Sequence, residues 1–254
     1  MTKKELKDFL DEKVSQYNTP QFIDSDPIQI PHLFSGREDI EVSGFLAATI
    51  AWGNRTMIIR NSKKIIELMG NAPYDFVMSH SDRELQQLSD FVHRTFNGGD
   101  LVTFVTSLKH IYSIHGGPEA IFAQYIQNDN LQPAIHEFKK AFFEVPHLQR
   151  TQKHVGDPAR GSSAKRINMF LRWMVRNDNC GVDFGLWDKI PPSALSCPLD
   201  VHSGNVARKL GLLNRKQNDA KAVAELDLQL RSLDKNDPVK YDFALFGLGV
   251  FEKF

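Results

Sequence analysis

Apolar positions recur at helical period along most of the 254 residues. From Lys3 to Tyr17, residues Leu6, Phe9, Leu10, Val14 and Tyr17 fall three and four apart and form one stripe, closed by Thr19-Pro20. The proline-containing stretch 21–38 reads as loop. A helix from about Ile40 to Trp52 is small and apolar throughout (Gly44 to Ala51), which predicts burial on most sides. Trp52-Gly53-Asn54-Arg55 interrupts it. A second helix runs from about Thr56 to Met69 and stops at Gly70-Asn71-Ala72-Pro73. Further helices are predicted at 74–79, 82–88, 100–114, 118–127 and 131–142. Gly98-Gly99-Asp100 and Gly116-Gly117-Pro118 mark a stop followed by a start. Residues 145–162 are polar and loop-like. The period returns over 163–177 through Ile167, Phe170, Leu171 and Met174. Residues 178–199 read as loop, and helices follow at about 201–210, 218–231 and 238–248. There is no strand pattern, repeat or low-complexity segment, so the expected fold class is all-α.

Composition narrows the setting. Hydrophobic residues make up 41% and charged residues 24%, which excludes a disordered chain. No apolar run approaches the length of a membrane span. The charged start, Met1-Thr-Lys-Lys-Glu, has no apolar segment behind it, which argues against a signal peptide and for a cytoplasmic protein. Cys180 and Cys197 cannot build a disulfide framework or a four-cysteine metal site; two reduced thiols, no metal and no cofactor are expected. The formal net charge is zero, but it is unevenly spread. Between Arg150 and Arg176, Arg150, Lys153, Arg160, Lys165, Arg166, Arg172 and Arg176 face Asp157 alone. Between Leu199 and Lys221, Arg208, Lys209, Arg215, Lys216 and Lys221 outnumber Asp200 and Asp219. A basic patch of this kind suits phosphate binding, and on charge alone an ordinary solvated surface suits it equally.

Two stretches carry candidate chemistry. In Arg160-Gly161-Ser162-Ser163-Ala164-Lys165-Arg166, a Gly-containing turn feeds a helix whose first backbone N–H groups are free to bind an anion. Lys165 in that first turn opposes the helix dipole, which disfavours its ammonium form, as a nucleophilic lysine requires. A surface lysine near a helix start is the plain alternative. In Cys197-Pro198-Leu199-Asp200-Val201-His202-Ser203-Gly204, Asp200 is placed to cap the next helix. A capping carboxylate needs no other reason to be there, yet it is also ionised and firmly held, which suits work on a developing cation.

Together these stretches resemble the helix-hairpin-helix DNA glycosylase superfamily. Gly161-Ser162-Ser163-Ala164-Lys165 stands where that family has its G-V-G-T-K hairpin, and Pro198-Leu199-Asp200-Val201-His202 where it has P-V-D-V-H. Phe45 to Arg55 resembles its small apolar helix leading to the residues that enter DNA, and Asp242 to Gly249 its last core helix. The resemblance covers roughly residues 40–249. Three features depart from the common pattern: Ser163 replaces the second hairpin glycine, 35 residues separate Lys165 from Asp200, and iron–sulfur cysteines are absent. The longer interval is closest to the archaeal 8-oxoguanine DNA glycosylase branch, of which the chain looks like a bacterial relative.

The resemblance implies one helical unit over residues 1–254 with two lobes around a cleft, lobe A about 40–145 and lobe B about 1–39 plus 146–254. It implies a monomer that binds duplex DNA carrying a damaged base, associates with the bacterial nucleoid and needs no membrane, metal or cofactor. Lys165 would be the nucleophile and Asp200 its electrostatic partner. Gly161, Ser162, Ser163, Arg166 and Lys153 would contact phosphate. His202 would support Asp200 or phosphate; Trp52, Asn54 and Arg55 would line the pocket or fill the gap left by a flipped base; Phe246 would stack on that base. For His202, Trp52 and Phe246 the plain alternatives are a helix histidine and core aromatics, and for Arg166 and Lys153 solvated side chains. The competing function is a DNA- or RNA-binding protein of the same fold without chemistry. A metal-dependent helical hydrolase is disfavoured, because His110 and His115 stand five apart and no compact ligand set appears.

Overall fold

Local chemistry sets most helix ends close to where the periodicity predicts them. In the computed structural model, which describes all 254 residues, α1 (Lys3–Tyr17) opens on a capping box between Thr2 and Glu5. Residues 21–38 are not the expected loop. They form α2 (Gln21–Ser25) and two single 3-10 turns, Pro27–Gln29 and Pro31–Leu33, each started by a proline whose missing N–H costs nothing there. This segment buries Phe22, Ile28 and Ile30. Then follow α3 (Arg37–Thr49), α4 (Arg55–Leu68), α5 (Pro73–Ser79) and α6 (Asp82–Gln87). A two-stranded hairpin, Val92–His93 against Phe96–Asn97, is too short to show as alternation. α7 (Gly98–His115) ends at Gly116, and α8 (Pro118–Gln124) and α9 (Gln132–Phe142) complete this half. After a stretch of turns come α10 (Lys165–Val175), α11 (Val201–Lys209), α12 (Ala220–Leu233) and α13 (Tyr241–Val250). The molecule is predominantly α-helical, as expected. None of its helices is long and apolar enough to cross a membrane.

The larger apolar cluster centres on Phe45 of α3, whose ring lies 5.9 Å from Phe104 of α7, 5.3 Å from Phe142 of α9 and 5.5 Å from Phe170 of α10. So α10, grouped by sequence with the C-terminal helices, packs its apolar face against α3. The smaller cluster joins α1, α11, α12 and α13 through Leu10, Val206, Leu226 and Leu245. α13 can lie this close to both neighbours because it is glycine-faced. A Cβ on Gly247 would fall 2.1 Å from the Tyr17 ring of α1, and one on Gly249 3.1 Å from the His202 backbone of α11. The start of α10 and the start of α11 meet where the two clusters adjoin.

Candidate active site

The turn before α10 has two left-handed residues, and the second is not where the family pattern has its glycine. Gly161 takes a left-handed φ of 87° and closes the preceding 3-10 turn, Pro158–Arg160. The second left-handed position is Ala164 (φ 46°), not Ser163 where the family pattern has glycine. The Ser162 hydroxyl accepts the Ala164 N–H at 3.1 Å and holds this conformation, which costs a non-glycine residue roughly 1–2 kcal/mol. Ala164 offers no side-chain cap, so the first N–H groups of α10 stay open, and Ser162, Ser163 and Lys165 line a cleft of about 800 Å³.

Asp200 lines the same cleft beside Lys165 and divides its two oxygens between two tasks. Oδ1 accepts the Ser203 N–H at 2.9 Å and caps α11, while the Ser203 hydroxyl meets the Asp200 N–H in return. Oδ2 faces Lys165, with Nζ 3.0 Å away. Burial pushes the Asp200 carboxyl up, but the Lys165 ammonium and the Ser203 N–H outweigh it and hold the group below the ordinary range. Two residues 35 positions apart therefore form a partly sheltered pair, Lys165 30% and Asp200 17% exposed at the side chain.

Residues 26–251 match a family described only as a protein of unknown function, DUF2400. The chain belongs to the DUF2400 family. No curated protein and no solved structure matches it.

Of the other predicted site residues, Ser162, Ser163, Arg166, His202, Trp52, Arg55 and Phe246 line the same cleft of this DUF2400 protein, as does Lys153. Asn54 and Gly161 do not. Asn54 caps α4 by accepting the Met57 N–H at 3.1 Å, and the Gly161 carbonyl accepts the Ala220 N–H at 3.0 Å. The Arg55 guanidinium lies 4.9 Å over the Phe246 ring. Trp52 is half-buried, stacked on His154 at 5.8 Å. Arg166 departs most from its expected role. Its guanidinium donates to the Thr49 carbonyl at the end of α3 and sits 4.7 Å over Trp52, and burial lowers its pKa to about 10. It joins α10 to α3 rather than reaching out for phosphate.

The same holds for most of the basic run around it. Arg150 forks onto Asp100 at 2.9 Å, Arg172 pairs with Asp183 and Asp242, and Arg176 with Asp178, Asp183 and Asp237. Arg172 and Arg176 are 3% and 1% exposed. The expected continuous patch is therefore broken: Arg172 and Arg176 are withdrawn into an internal ion-pair network, while Arg150 and Arg160 stay exposed although each meets a buried aspartate. Free surface cations remain within the two basic stretches. Lys153, Lys216 and Lys221 are exposed and have no carboxylate partner; Ser162 bridges Asp219, which sets the 216–221 segment beside the Gly161 turn.

Sequence reasoning missed Asp242, Arg172, Asp26 and Phe22, which also line the cleft. Asp242 is buried, and burial together with the Asp200 charge raises its pKa to about 6 against the pull of Arg172. Asp26 is raised by burial too, though its carboxylate accepts the Ile28 N–H. A lone aspartate and a lone arginine within otherwise apolar helical runs were the available signal. A further set was also missed: Glu144 joins His110 and His115.

Proposed function

We propose that the chain is a DNA glycosylase with lyase activity at the abasic site, acting on an oxidised purine of the 8-oxoguanine kind in duplex DNA. Its helices would then form a helix-hairpin-helix glycosylase-like fold, with two lobes flanking the cleft. The observation that carries this reading is the 3.0 Å approach of Lys165 Nζ to Asp200 Oδ2 in the wall of a nucleotide-sized cleft. The aromatic walls, Trp52, Phe22 and Phe246, suit a flat base, and the buried carboxyls of Asp26 and Asp242 suit its polar edge. Lys153, Lys216 and Lys221 suit the phosphates on either side.

In this reading duplex DNA bends and the damaged nucleotide turns out into the cleft. Asp200 takes a proton from the Lys165 ammonium, and the freed Nζ lone pair attacks C1′. The bond from C1′ to the base breaks, and its electron pair leaves with the base, which takes up the proton held by Asp200. Asp200, ionised again by that transfer, stabilises the positive charge on the sugar. The sugar ring opens to an imine on Lys165. Loss of a C2′ proton then expels the 3′-phosphate, and water hydrolyses the imine to restore the lysine. The electron pairs come from lysine, the breaking bonds and water.

Borohydride reduces such an imine and makes the link permanent. Incubation of the protein with borohydride and 8-oxoguanine duplex should give a covalent protein–DNA adduct, and Lys165→Ala should give none. Absence of an adduct with 8-oxoguanine, with other lesions and with an abasic site would remove the enzyme reading. Salt-sensitive DNA binding in that protein would then favour a nucleic-acid-binding role without chemistry.

A further inference from the structure

A second cluster lies away from the cleft, where the end of α7 meets the turn after α9. His110 and His115 stand five apart on α7, which separates side chains by about 140° around an ideal helix. Their rings nonetheless approach to 5.5 Å, because His115 is the final helical residue before the left-handed Gly116. Glu144 enters from the turn after α9. Its N–H donates to the Ala141 carbonyl at 3.2 Å, and the adjacent Phe143 packs on Phe142 at 5.2 Å, so the backbone that carries this carboxylate is held at this place. Glu144 Oε2 lies 2.8 Å from His110 Nε2 and 3.6 Å from His115 Nε2. All three potential ligand atoms lie within 4.8 Å of one another.

We propose that His110, His115 and Glu144 bind a divalent transition cation of the zinc class. Tetrahedral zinc with bonds of about 2.0–2.1 Å spaces its ligand atoms by about 3.3 Å, so small rotations of these three side chains would close the site around one ion. Two imidazoles and one carboxylate are a borderline donor set, suited to zinc rather than to calcium or magnesium, and water would fill the fourth position. A second observation points to a missing ligand. His115 Nε2 is shut off from solvent and has no hydrogen-bond partner. An ion would satisfy it. The carbonyl end of an 18-residue helix also favours positive charge at this place. The site shares no residue with the cleft, and a bound ion would tie the end of α7 to the exit of α9.

The test is calorimetric titration of zinc chloride into the full chain after chelator treatment and desalting. One saturable equivalent is expected, with a rise in melting temperature on addition of zinc. His115→Ala and Glu144→Gln should each weaken binding about tenfold or more and abolish the thermal shift. His147→Ala is the control, because both nitrogens of His147 are engaged, by the Val145 carbonyl and by Gln152; it should bind as the unmodified protein does. Absence of a saturable equivalent would overturn the site. So would affinity that survives in the His110→Ala/His115→Ala double variant, which would put the ion elsewhere on the surface.

Discussion

Asp200→Asn separates the structural role of this side chain from the chemical one, because its two oxygens do different work. Asparagine caps a helix about as well as aspartate, so the bond from Ser203 to Oδ1 should survive. Only the pairing of Oδ2 with Lys165 is lost. Both partners are partly exposed and Lys165 can be rehydrated, so the loss is about 1 kcal/mol. For a chain of this length that lowers the melting temperature by roughly 2–4 °C. Asp200→Ala loses the cap as well, another ~1 kcal/mol, for a fall of roughly 4–8 °C. The rate of borohydride-trapped adduct formation should respond on a different scale. Removing the group that takes the lysine proton and faces the sugar cation is expected to cost roughly 10²–10⁴-fold, or about 2.7–5.4 kcal/mol of barrier. Thermal melting and single-turnover trapping on the same protein preparations measure both effects. If Asp200→Asn traps within about threefold of the unmodified protein, Asp200 is a cap and nothing more. If it melts as low as Asp200→Ala, the ion pair is structural and the loss of trapping says nothing about chemistry.

DNA affinity should fall steeply with salt, and a Lys216→Gln/Lys221→Gln double variant should reduce the slope of log affinity against log salt by about 1.8, since each phosphate contact contributes about 0.9; an unchanged slope would remove the 216–221 segment from the interface. Arg166→Glu should instead lower the melting temperature, because it breaks the bond from α10 to the Thr49 carbonyl, and a folded variant that merely binds DNA more weakly would contradict its assignment. Asp242, raised to about 6 when folded against about 3.9 when unfolded, makes the native state hold more protons between about pH 4 and pH 6. Its contribution to stability therefore declines as pH rises through that window, by up to about 1.4 kcal/mol per unit, and urea unfolding of Asp242→Asn should show a correspondingly flatter profile. Equal slopes in the two proteins would refute the raised value.

The helices were legible because their signals are local. The α1 stripe, the α7 stop at Gly116 and the Asp200 cap all lie within a few residues of what they control. The Lys165–Asp200 pair was legible only through resemblance, because nothing local in a 35-residue interval announces a 3.0 Å contact. The meeting of Asp242 with Asp200 and the His110–His115–Glu144 set were not legible for the same reason: each is assembled by tertiary packing from separate elements. The 21–38 segment was misread because its prolines break a long periodic pattern while starting short turns.

Charge was misread for a reason that bears on the site. Summing charge along the chain counts Arg172 and Arg176 as surface, yet Arg172 continues on α10 the stripe begun by buried Asn168, and Arg176, the extended residue that ends α10, is buried as well. Their carboxylate partners come from later in the chain, Asp178, Asp183, Asp237 and Asp242. Arg172 thereby spans from Asp183 in the loop after α10 to Asp242 at the cleft wall. Asp242 feels the negative charge of Asp200, which raises its pKa, while Arg172 opposes the shift. Without Arg172, buried Asp242 would have the charge of Asp200 beside it and Lys165 as compensation, and it would tend to take up a proton. The buried Arg172 thus leaves the charge of Lys165 to Asp200, and this part of the basic run acts on the Lys165–Asp200 ion pair from within the fold.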